Sequence, residues 1–112
     1  PEGSRAARND KRMQQAELRE ASLQVAAELT KHCQARGIAP SHFAAAWCLA
    51  NRRVTSIILG PRTMEQFTDN LGCLEVPISE EDEALVDSLV PPGEHSGKGF
   101  PDPAYPVVGR FT

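Results

Sequence analysis

The residues best placed to do chemistry are Gly60, Arg62, Gln66, Asp69 and Asn70, in a run where an apolar stretch turns through Gly60-Pro61 toward a helical pattern. A helix start offers backbone N–H groups without intrahelical partners and a positive dipole end, so it favours anions such as phosphate. Arg62 adds a planar guanidinium fork suited to a phosphate monoester. Gln66 and Asn70, four apart, share one helix face with Asp69 beside them. Together they suit the hydrogen-bonding edges of a sugar and an amino-bearing base. A second reading of the same residues is a capping box, Thr63 with Gln66, followed by ordinary surface polar groups.

Other reactive side chains have plainer roles. His32, His42 and His95 lack a metal-ligand partner at suitable spacing and read as surface or capping residues. Glu80, Glu81 and Asp82 match the preference of helix N-termini for negative charge. Cys33, Cys48 and Cys73 are odd in number, widely spaced and without a C-x-x-C pair, so they read as small core residues, and Trp47 as core. No metal site is expected.

These residues need elements to hold them. From about Glu17 to Arg36, Leu18, Ala21, Val25, Leu29 and Cys33 recur at steps of three or four, predicting an amphipathic helix with Gly37 as its C-terminal cap. Pro40 and Ser41, with Ser41 as N-cap, open a second helix through HFAAAWCLA to about Asn51, densely apolar and suited to burial. Residues 54–59, VTSIIL, are rich in β-branched side chains and end at Gly60-Pro61, which predicts one strand of a parallel sheet covered by helices. A third helix is expected from Thr63 to about Leu71 or Cys73, and a fourth from Ser79 to about Leu89. Residues 1–12 read as an exposed loop, and residues 91–112, with five of the nine prolines and four of the eight glycines, as an extended tail.

The 112 residues suit one domain; 24% are charged, 40% are apolar and the net charge is −3, the profile of a soluble globular chain with no general attraction to nucleic acid or anionic lipid. No apolar run is long enough to span a bilayer and no signal peptide is visible in the polar N-terminal stretch, so a cytoplasmic location is the default expectation. A single strand cannot satisfy its own backbone groups. Helix-strand-helix order is half of an α/β unit, and with Pro1 in place of a Met the chain reads as a fragment whose strand is completed by neighbouring strands missing from it or by a partner chain.

The stretch from Ile57 to Asn70 resembles the end of the aldo-keto reductase family, whose last barrel strand and following helix carry the pattern G-x-[RS]-x-x-x-Q-x-x-[ED]-N around the 2′-phosphate and adenine of NADP(H). Gly60, Arg62, Gln66, Asp69 and Asn70 occupy all five positions. HFAAAWCLANRRVTSIILG is similar to the family's preceding layer, and LGCLEVPISEEDEALVDSL to its closing helix. PEGSR at the start resembles the loop after the seventh strand, which implies that Arg5 clasps the cofactor's pyrophosphate; a solvated arginine in a mobile arm is the other reading.

The resemblance implies the C-terminal part of a (β/α)₈ TIM barrel, mostly helical here with one clear strand, from an oxidoreductase that uses NADPH to reduce a small aldehyde or ketone to an alcohol. A complete barrel needs about 250 residues. The family's catalytic Asp, Tyr, Lys and His have no counterparts: the sole tyrosine, Tyr105, lies in the proline-rich tail and is not assigned as catalytic. The chain alone is therefore expected to be inactive, with Tyr105 and its neighbours at most lining the parent's substrate opening. The competing expectation is a non-catalytic helical interaction or assembly module derived from the barrel terminus, working as a cofactor-free oligomer through its apolar helices.

Overall fold

A computed structural model describes residues 7, 19–94 and 96. Helix α1 (Glu20–Arg36) ends where Gly37 turns to φ 67°, the left-handed region that glycine enters without a Cβ penalty. Its N–H bonds the Gln34 carbonyl at 3.1 Å and the Ile38 N–H bonds Cys33 O at 2.9 Å, the paired closure of a Schellman motif. A Cβ on Gly37 would meet nothing within 4 Å, so conformation, not space, selects glycine there.

Helix α2 (Pro40–Leu49) follows within three residues. Its N-cap is Ala39, not Ser41: Pro40 takes the first helical position, where its fixed φ suits the helix and its missing N–H costs nothing, and this moves Ser41 inside the first turn. Helix α3 (Met64–Leu71) runs on through a 3₁₀ turn (Gly72–Glu75), and α4 (Glu80–Leu89) closes the order. Ser79 caps α4 with a complete capping box, its Oγ accepting the Asp82 N–H while the Asp82 carboxylate accepts the Ser79 N–H.

The core is small. Cys33 of α1, Phe43 and Ala46 of α2 and Cys73 of the 3₁₀ turn are the buried apolar residues among those described. They mark the two seams, α1 on α2 and α2 on the 3₁₀ turn. At the first seam the His32 ring stands edge-on to Phe43, with centroids 6.0 Å apart and planes at 75°. Burial of α2 is narrower than its apolar sequence predicts. Ala44 and Cys48 are exposed and Trp47 half-buried along a groove shared with Leu29 and Val86, so Cys48 and Trp47 depart from the expected core role.

The predicted strand at residues 54–59 is not formed, and no strand occurs among the described residues. The reason is physical: a β-ladder exists only between neighbours, and among the described residues no second strand lies alongside this one. The apolar sequence is left open, with Ile58 fully exposed and Leu59 42% exposed. Part of α3 and the turn is bare too, through Met64, Phe67, Leu71 and Leu74. The first two residues of the predicted N-terminal helix, the residue 1–12 loop apart from Ala7, and residues 95 and 97–112 of the predicted tail lie outside the described residues.

Candidate functional site

The N-terminus of α3 is built by three hydrogen bonds. Thr63, extended at φ −133° and ψ 158°, accepts the Gln66 N–H on Oγ1 at 3.2 Å, while its carbonyl accepts the Phe67 N–H at 3.0 Å. Gln66 Oε1 accepts the Arg62 backbone N–H at 2.7 Å. The expected capping box is thus closed one residue early, on Arg62 and not on Thr63. One consequence concerns polarity. With its oxygen turned back onto the loop, the Gln66 side chain presents its NH₂ donors away from it.

Arg62 is exposed, and no carboxylate among the described residues pairs with its guanidinium. Gly60 is exposed as well, and a Cβ there would meet nothing within 4 Å. Nothing among the described residues therefore demands glycine at this position. One turn beyond Gln66, Asn70 is half-buried and the Asp69 side chain is 64% exposed. Gly60, Arg62, Gln66, Asp69 and Asn70 thus sit on one loop and one short helix, four of them solvent-facing. Arg5 lies outside the described residues, as do His95 and Tyr105.

Two histidines carry more than the sequence predicts. His42, in the first turn of α2, has its side chain 18% exposed and its Nε2 3.3 Å from Asp69 Oδ2. That nitrogen is buried and makes no hydrogen bond in this geometry. Its ring lies on the backbone of Gly72, where a Cβ would stand 2.6 Å from His42 Cε1. The available sequence signal was Gly72 itself, a glycine in a helical stretch whose helical φ of −57° needs no glycine. Among the residues of α1, His32 and Arg36 stand one turn apart and both reach the fully buried Asp82.

Asp82 is the electrostatic centre of the described chain. It takes His32 Nε2 at 2.6 Å, Arg36 through one guanidinium nitrogen at 2.5 Å to each oxygen, and Ser79 N–H and Oγ at 2.8 and 2.9 Å. Burial pushes its carboxyl up, but the donors from His32, Ser79 and Arg36 outweigh this and hold it at about 2. Asp82 is thus more than a helix-dipole preference: it clamps the start of α4 to the end of α1. Cys33, next to this clamp, has its thiol pushed up, first by burial. Among the described residues no three His, Cys, Asp or Glu side chains group as metal ligands.

The chain matches the model of the aldo/keto reductase family over residues 2–91 and belongs to that family. Among curated proteins it is similar to the uncharacterized oxidoreductase YrpG of Bacillus subtilis (strain 168), with 32% identity over 69 residues, covering 61% of this chain and 21% of that protein. It is similar also to the L-glyceraldehyde 3-phosphate reductase of Escherichia coli O157:H7, with 33% identity over 78 residues, 69% of this chain and 22% of that protein. The chain therefore spans about a fifth of the length of the curated relatives it matches. The family implies a TIM barrel; the described residues are mostly helical. No helix among them is long and apolar enough to cross a membrane.

Proposed function

We propose that this chain forms the adenosine 2′-phosphate end of the NADP(H) site in an aldo/keto reductase barrel. The parent reaction is NADPH-dependent reduction of an aldehyde or ketone to an alcohol; the bound cofactor supplies the hydride. Arg62 holds the 2′-phosphate and thereby favours NADP(H) over NAD(H). Gln66, Asp69 and Asn70 hold the adenosine, Gly60 leaves room for close approach of the cofactor to the backbone, and Arg5 clasps the pyrophosphate.

The observation that carries this reading is the lock between Arg62 N–H and Gln66 Oε1 at the capped start of α3. It fixes the loop, turns the Gln66 donors outward and leaves beside them a guanidinium without a carboxylate partner among the described residues. A cation held in position beside a helix N-terminus is matched to a dianionic phosphate monoester. The surroundings of Gly60 fit the same group, since a side chain there would occupy space that no atom of the described residues uses.

Barrel strands beyond these 112 residues, carrying the proton-donating tyrosine with its lysine, aspartate and histidine, complete the enzyme in this reading. They also cover the segment at residues 54–59, where Ile58 and Leu59 are exposed. The E. coli relative, named for reduction of a phosphorylated aldehyde, supports an aldehyde as substrate class.

Arg62→Ala in the full-length protein tests the reading. NADPH binding should weaken by roughly 1.5–3 kcal/mol, the contribution of a hydrogen bond to a charged group, with NADH binding nearly unchanged. Fluorescence titration with both cofactors measures this, and equal losses for the two would remove Arg62 from the 2′-phosphate.

A further inference from the structure

We propose that His42 is a positioning residue for the cofactor's base: its Nε2–H holds Oδ2 of Asp69, so that the other carboxylate oxygen faces the amino group of adenine. The inference rests on the NADP(H) reading above and adds to it a residue outside the Gly60–Asn70 run. Asp69 lies on an eight-residue helix with its side chain 64% exposed, free in itself to sample several rotamers. A carboxylate that swings freely is a poor acceptor for one particular amine, because binding must then order it.

Two independent observations make His42 the group that removes this freedom. The first is the ring nitrogen. Nε2 is buried, lacks a hydrogen bond and stands 3.3 Å from Asp69 Oδ2, so a small turn of the carboxylate satisfies it. The second is the seat of the ring. An added Cβ at Gly72 would lie 2.6 Å from Cε1, 3.0 Å from Nδ1 and 3.3 Å from Nε2, and Gly72 has an ordinary helical φ. Glycine is therefore needed at 72 for the imidazole and not for the backbone. The ring springs from α2 and lies against Gly72 of the 3₁₀ turn, 18% exposed where Asp69 is 64% exposed, which makes it the more fixed donor beside a movable acceptor. No other ion pair to Asp69 occurs among the described residues.

The probe that isolates this contact is the hypoxanthine analogue of NADPH, in which a carbonyl replaces the adenine amino group. In the full-length protein, His42→Leu should raise the Kd for NADPH about fivefold, the effect of one moderate hydrogen bond, and change that for the analogue less than about twofold. His42→Gln, whose amide keeps a donor, should retain NADPH binding within about twofold of the unaltered protein. In an Asp69→Ala background His42→Leu should have no further effect, the signature of two residues acting as one unit. If His42→Leu does not fold, Gly72→Ala, which displaces the ring without removing it, should show the same selective loss. Equal weakening of NADPH and its analogue, or a His42→Leu effect that survives in Asp69→Ala, overturns the assignment. Arg62→Ala separates the two levels. If it spares NADPH binding, the cofactor reading fails and His42 with it; if it weakens NADPH while the His42 variants do not discriminate, His42 alone falls.

Discussion

His32 Nε2 lies 2.6 Å from Asp82 Oδ1, a contact across fifty residues between α1 and the first turn of α4. The carboxylate is completely buried, while the histidine side chain is 24% exposed. Asp82 also accepts from Arg36 and Ser79, so one residue satisfies the capping box of α4 and fastens that helix to α1. With few buried apolar residues nearby, this polar clamp is a principal tie between the two helices.

Asp82→Ala should therefore destabilise the fold by about 3 kcal/mol, because it removes the cap and leaves the His32 and Arg36 donors facing a cavity. Urea denaturation measures the loss. Asp82→Asn, which keeps an acceptor oxygen for Ser79 but not the charge for Arg36, should fall between the two. A change below about 0.5 kcal/mol for the alanine variant, the range of ordinary surface substitutions, would mean that α4 is held by other contacts.

The same carboxyl sets an acid limit. Its folded value, about 2, is below the unfolded 3.8, so its contribution is full above pH 4 and disappears as the pH falls through about 2. The shift corresponds to stability on the order of 2 kcal/mol. Thermal melts should show a decline across pH 4 to 2 that is smaller in Asp82→Asn. An identical decline in both proteins assigns acid sensitivity to other carboxylates.

Gly72→Ala should destabilise although alanine is the better helix former by about 1 kcal/mol. The new methyl would stand 2.6 Å from His42 Cε1, and the ring, seated between α2 and the 3₁₀ turn, must move. A net loss of about 1–2 kcal/mol is expected, as for overpacking. A stabilised variant would show that His42 turns aside at little cost.

The three thiols should separate by accessibility. In this 112-residue chain Cys48 should react with a disulfide reagent at the rate of an open thiol, while Cys33 and Cys73 stay protected until unfolding. Burial raises the Cys33 thiol further from its reactive form. Mass-resolved labelling distinguishes the sites, and early labelling of Cys33 would indicate that the α1–α2 seam opens readily.

Much of this was legible in the sequence because it is local. The repeat Val25, Leu29, Cys33 announced α1 and Gly37 its end, since periodicity and a left-handed cap depend on neighbours a turn away. The starts of α3 and α4 were carried by Thr63 and Ser79 for the same reason. The pattern from Gly60 to Asn70 pointed to the family because its residues are close in sequence, and the family match bears that out.

What tertiary structure alone decided is contact between residues far apart along the chain. The partners of Asp82 are His32 and Arg36, some fifty residues earlier, and Asp69 faces His42 across a helix boundary; no spacing rule links these pairs. The stretch at residues 54–59 shows the other side of the same physics. Its β-branched sequence determined a preference, but a strand is a property of two segments, and with no second one alongside it among the described residues, the preference has no ladder to express it.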